Sequence, residues 1–103
     1  MISDRIPDAD VPAALMAHAG GHGRLLWHTS KGWASATFEG SRDEVAFEYF
    51  GADAAAAGER FLANLHDVEI SLPGRIVADA KVGYHQPLKE RTIAVLELLL
   101  VKD

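Results

Sequence analysis

The side chains of this chain that can do chemistry are five histidines and fifteen carboxylates spread over 103 residues, with no cysteine. Without thiols there are no disulfides, no thiolate metal sites and no cysteine nucleophile. His28 and His85 form the pair of most chemical interest. An imidazole oriented by a carboxylate such as Glu48 or Asp79 transfers protons near neutral pH. Asp79 and Glu97 fall opposite each other if the last two strands pair, which is the arrangement paired-carboxylate chemistry uses. Lys81, diagonal to Glu97, turns the same group into a structural ion-pair cluster.

The remaining chemical motifs have plainer explanations. His18 and His22 have the spacing of two metal ligands on a helix, but Gly20-Gly21 lies between them and breaks the shared face. No metal site is expected. His66-Asp67 is a histidine in a last helical turn, where the dipole favours it. Gly20-Gly21-His22-Gly23 leads into a strand, whereas a phosphate-cradling loop runs from a strand into a helix. No cofactor is expected.

The net charge is −5, and the ten basic residues are scattered from Arg5 to Lys102 with no two adjacent. Clustered cations are what displace counterions from phosphates, so this pattern argues against nucleic acid and against an anionic membrane surface. The segment Met1–Arg5 lacks the basic start and apolar core of a secretory signal. The longest apolar stretch, Ile93–Val101, is interrupted by Glu97 and is too short to span about 30 Å of bilayer as a helix. These features predict a cytoplasmic protein.

The elements that must position the candidates read as one α+β domain over residues 1–103. Asp8-Ala9-Asp10-Val11-Pro12 starts a first helix, which Gly20-Gly21 ends. Strands follow at Arg24–Thr29, Trp33–Phe38 and Glu44–Phe50, separated by turns at Ser30-Lys31-Gly32 and Gly40-Ser41-Arg42-Asp43. Pairing Phe38 with Val45, Ala36 with Phe47 and Ala34 with Tyr49 gathers their apolar groups on one side. A second helix opens at Asp53 and runs to about His66. Gly58 in its middle costs up to about 1 kcal/mol against alanine, which predicts a close approach to the sheet. Arg75–His85 and Thr92–Lys102 then form a hairpin that sets Ile76, Ala78, Ala80, Val82 and Tyr84 against Leu100, Leu98, Leu96, Ala94 and Thr92. The result is a two-layer sandwich of α-β-β-β-α-β-β order, with a five-stranded, mostly antiparallel sheet and two helices on one face. Type III secretion chaperones, small acidic dimers, share this element order. The chain resembles them in topology alone, and lacks the third helix they carry. That likeness implies a chaperone-like dimer.

The alternating residues of this sheet form a second, helix-free face of mixed character. It collects Leu26, His28, Trp33, Ser35, Thr37, Glu48 and Phe50, then Val77, Asp79, Lys81 and His85 against Leu99, Glu97, Val95 and Arg91, with Ile93 and Val101. Leaving several large aliphatic groups in water costs roughly 1.5–3 kcal/mol each, and contiguous apolar patches mark contact surfaces. The expected function is a homodimeric protein- or ligand-binding module. Trp33, Phe50, Val95 and Leu99 would lie at the centre of the contact, and Lys81, Asp79 and Glu97 would fix its register. In the ligand-binding form the same face is a cup, with His28, Glu48 and His85 at its mouth. The alternative is a small acid–base enzyme that uses His28, His85 and a carboxylate from Glu48, Asp79 or Glu97.

Overall fold

The computed structural model describes residues 10–103. The elements are α1 (Asp10–His18), β1 (Arg24–Ala34), β2 (Glu39–Phe50), α2 (Ala52–Ala63), a 3-10 turn at Leu65–Asp67, β3 (Arg75–Leu88) and β4 (Arg91–Lys102). The capping role expected of Asp8 lies outside the described residues. The four strands form one antiparallel sheet in the order β1-β2-β4-β3.

The α+β class, the antiparallel sheet and the two helices on one face agree with expectation. The five strands and their α-β-β-β-α-β-β order do not. Residues 30–32 continue β1 instead of turning, and Trp33 and Ala34 end that strand. The reversal falls at residues 35–38. There the Ser35 amide donates to the Phe38 carbonyl at 2.7 Å, and the Phe38 amide donates to Ser35 Oγ at 3.1 Å. Gly40 lies inside β2 for a different reason. A Cβ there would sit 1.9 Å from the Leu100 carbonyl oxygen of β4, so the residue permits close backbone approach. The expected partners of Val45, Phe47 and Tyr49 therefore change, and Val45 pairs with His28 while Phe47 pairs with Leu25.

Alternation along β2 and β4 does position the core. Val45, Phe47 and Tyr49 join Ala94, Leu96, Leu98 and Leu100 on one face, beneath Val11 and Leu15 of α1 and Phe61 and Leu62 of α2. The β3–β4 register differs from the expected one. Bulges between Val77 and Asp79 and between Val82 and Tyr84 reverse side-chain parity along β3. As a result Val77, Ala80 and Val82 pack on the core, while Ile76 and Tyr84 are exposed.

Gly58 makes the close approach its helix position predicts. A Cβ there would lie 2.5 Å from the ring of Tyr49. Tyr49 is fully buried, and its hydroxyl has no hydrogen-bond partner. Burial pushes its phenol up from 10.0 to about 12. Because the folded value is raised, the neutral ring contributes fully below pH 10, and that contribution is lost as pH rises toward 12. Tyr49→Phe is expected to gain about 1 kcal/mol at pH 7 by deleting an orphaned hydroxyl. It should also flatten the alkaline limb of a stability–pH curve. Urea midpoints at pH 7 and pH 11 check both effects.

Candidate functional site

Two groups of polar side chains and one uncovered sheet face compete as the functional region. The first polar group sits on the helix side of the β1–β2 hairpin. Asp43, 2% exposed, accepts from Ser41 Oγ at 2.6 Å and Ser30 Oγ at 3.1 Å on one oxygen. Its other oxygen lies 2.6 Å from His28 Nε2, with a proton between them. Both serines bond the carboxylate rather than the imidazole, so neither is held as a nucleophile with His28 as its base. The cluster satisfies a buried charge.

The second polar group joins β3, β4 and α2. His85 Nε2 and Thr92 Oγ1 both reach Glu59 Oε2, at 2.9 and 2.7 Å. The His85 bond is the main cause that holds the Glu59 carboxyl below its ordinary range, followed by the Thr92 bond. His28 and His85, expected together on the helix-free face, instead occupy the helix side, because each pairs with a core residue, Val45 and Ala94. They lie on opposite edge strands of the sheet. Three strand spacings, about 14 Å, separate those strands.

Glu48 is the candidate that does lie on the helix-free face. It is 6% exposed and clamped between two arginines. Arg24 Nη2 approaches at 2.6 Å and Arg91 Nη2 at 2.5 Å, each on a different carboxylate oxygen. The Arg24 bond, with further help from Arg91, holds the Glu48 carboxyl below its ordinary value of 4.5 despite its burial. A carboxylate locked in this way is a poor proton carrier. It is a structural brace between β1, β2 and β4. Since its folded pKa is depressed, the stability it supplies is complete above pH 4.5 and declines as pH falls through the lower folded value. Glu48→Gln should shallow the acid limb of the pH–stability curve, as measured by urea midpoints between pH 3 and pH 6.

The helix-free face is laid out in rows that cross the sheet. Trp33, Gly40, Val101 and Ile76 form one row, and Lys31, Arg42, Leu99 and Asp79 the next. Thr29, Glu44, Glu97 and Lys81 follow, then Trp27, Ala46, Val95 and Tyr84. Glu48 and Ile93, then Phe50 and Arg91, complete the face. Lys81 is directly opposite Glu97, with its Nζ 3.5 Å from the carboxylate, and Asp79 opposes Leu99 instead. Ile93, Val95, Leu99 and Val101 are half-buried by their neighbours on the face. Around them Trp27, Tyr84 and Ile76 are exposed by 43%, 51% and 53%, and Phe50 by 75%. Trp33 is half-buried, and its indole N–H has no partner. Among the described residues no helix packs on this side.

No protein family, characterised protein or solved structure matches this chain. With four strands in place of five, the topological likeness to secretion chaperones loses its basis. Among the described residues no group of three or more histidines and carboxylates could hold a metal ion, and no helix is long and apolar enough to cross a membrane.

The rows were partly legible in advance. Alternation placed Trp33, Phe50, Ile93, Val95, Leu99, Val101, Lys81, Glu97 and Asp79 on this face, and all nine are there. Sequence reasoning missed Trp27, Ile76 and Tyr84, whose sides depend on bulges. It also missed Asp43, read as part of a turn. The alternating Ser41–Asp43–Val45 pattern was the available signal for its inward orientation.

Proposed function

We propose that this chain is a self-associating module whose helix-free sheet face pairs with the same face of a second copy. The observation that carries the reading is the lateral asymmetry of the face. The row Lys31–Arg42–Leu99–Asp79 has cations at its β1–β2 end and an acid at its β3 end. A two-fold axis parallel to the strands and midway between the copies lays β1 over the partner's β3 and β2 over the partner's β4. Lys31 then meets the partner's Asp79, and Arg42 crosses the partner's Leu99. Small residues meet branched ones in the same arrangement, Gly40 over Val101 and Ala46 over Val95, while Trp27 meets Tyr84. Glu44 faces Glu97, whose charge Lys81 already takes up at 3.5 Å.

Size supports the reading. Four strands about 4.8 Å apart and roughly eleven residues long offer on the order of 700 Å² per copy, close to the roughly 800 Å² per partner of a standard specific interface. The acid–base alternative finds no such support, because its two imidazoles sit at opposite edges, each already paired with a carboxylate.

Sedimentation velocity over a dilution series tests the proposal, with a monomer–dimer equilibrium expected. Val95→Glu should raise the dissociation constant at least tenfold, since it places a charge in the central row. Lys31→Glu should also weaken the dimer, and adding Asp79→Lys in the same chain should restore it. A monomer at every concentration, or a double variant no tighter than Lys31→Glu alone, would overturn the proposal.

A further inference from the structure

The histidine pair split by Gly20-Gly21 is reunited in three dimensions. The α1 helix ends at His18, and a turn through Gly20 and Gly21, both at positive φ, leads on to His22. His18 and His22 line one hollow of about 400 Å³ together with Arg60, Phe61, Asn64 and Val68. Among the described residues that line this hollow none is acidic, although the chain carries a net charge of −5. Arg60 is exposed at the end of α2 and has no ion-pair or side-chain hydrogen-bond partner among the described residues. The floor is apolar, since Ala19, Ala57 and Phe61 are buried there. The His18 ring stacks on Phe61 with centroids 6.5 Å apart and planes 13° from parallel.

Two helix C-termini border the hollow, and free carbonyls there would repel an anion. They are not free. The Met16, Ala17 and Ala19 carbonyls accept the amides of residues 19–22, and the Arg60 carbonyl accepts both the Asn64 amide and Asn64 Nδ2. Dipole compensation accounts for His18 and Arg60 one at a time. It accounts neither for His22, which lies beyond the helix, nor for the lack of acids among the described lining residues.

We infer that this hollow binds a small organic carboxylate with a flat apolar body. The carboxylate lies on the planar donor fork of Arg60, flanked by the imidazoles of His18 and His22, and the apolar body lies against Phe61 and Val68. A guanidinium matches a carboxylate through two parallel N–H bonds. The volume suits a single-ring molecule, being near the lower end of small-molecule pockets.

Titration of the full chain with benzoate, followed by amide and imidazole NMR shifts, tests the inference. Saturable shifts confined to residues 18–22 and 60–68 are expected, with millimolar affinity. Arg60→Gln should weaken binding at least tenfold, and Arg60→Lys should weaken it less. Acetate should bind more weakly than benzoate. Because Arg60 is exposed, its variants should keep the wild-type spectrum elsewhere. Non-saturating shifts, benzoate affinity unchanged in Arg60→Gln, or tighter binding of inorganic phosphate or zinc than of benzoate would overturn the inference. The hollow lies on the helix side, so a Val95→Glu monomer should bind benzoate as the wild type does. The outcome is therefore independent of the dimer.

Discussion

Gly58→Ala is expected to lose about 2 kcal/mol of stability, although alanine is the better helix former by about 1 kcal/mol. The reason is the ring beneath it. A Cβ at position 58 would lie 2.5, 2.6 and 2.9 Å from Cγ, Cδ2 and Cδ1 of Tyr49. The ring has nowhere to retreat, because a Cβ at Gly23 would already come within 2.9 Å of Tyr49 Cε1. Tyr49 is thus clamped between two glycines, and an added methyl must lift α2 from the sheet. In a chain of this size a loss of about 2 kcal/mol lowers the melting temperature by roughly 8–16 °C. Trimming the ring should relieve the clash, so Gly58→Ala combined with Tyr49→Leu should cost less than the sum of the single changes. Urea denaturation of the four proteins reads this coupling. A Gly58→Ala protein as stable as the wild type would mean that α2 stands farther from β2 than the structure places it.

Asp43→Ala is expected to cost about 3 kcal/mol, the larger of the two losses. The side chain is buried, and three groups depend on its oxygens, Ser41 Oγ, Ser30 Oγ and His28 Nε2. Removing it orphans those partners in a space that excludes water. The His28 side chain is itself only 5% exposed. Asp43→Asn should cost less than Asp43→Ala, because its amide oxygen still accepts from both serines. Equal losses in the two variants would show that the negative charge, rather than the acceptor geometry, carries the contribution. Urea midpoints at neutral pH discriminate between these outcomes.

Legibility varied with the kind of signal. The β4 strand was readable because it alternates without interruption, with Thr92, Ala94, Leu96, Leu98 and Leu100 toward the helices and the intervening residues away. The α2 stripe and the tight fit at Gly58 were readable for the same reason, since one periodicity governs the whole segment. The β1–β2 hairpin was not. Gly32 and Gly40 look like turn punctuation, yet both lie within paired strands, and the actual reversal at residues 35–38 contains no glycine. Local composition does not distinguish a glycine that bends the chain from one that lets two backbones meet. The bulges were hidden for a related reason. An extra residue leaves no mark in the alternation until partners are known, yet it moves every later side chain to the opposite face. That shift carried His28 and His85 to the helix side and brought Tyr84 out.

The interruptions at Leu26, Ala78 and Gly83 all fall on β1 and β3, the outer strands of the sheet. They deny a neighbouring chain the straight, unbroken run of amides and carbonyls it would need to extend the sheet sideways, and Pro87 removes one further donor. Growth into fibrils by strand addition is thereby discouraged at both margins. In the proposed dimer one copy covers the broad face, so assembly would end at a closed pair instead of an open-ended stack.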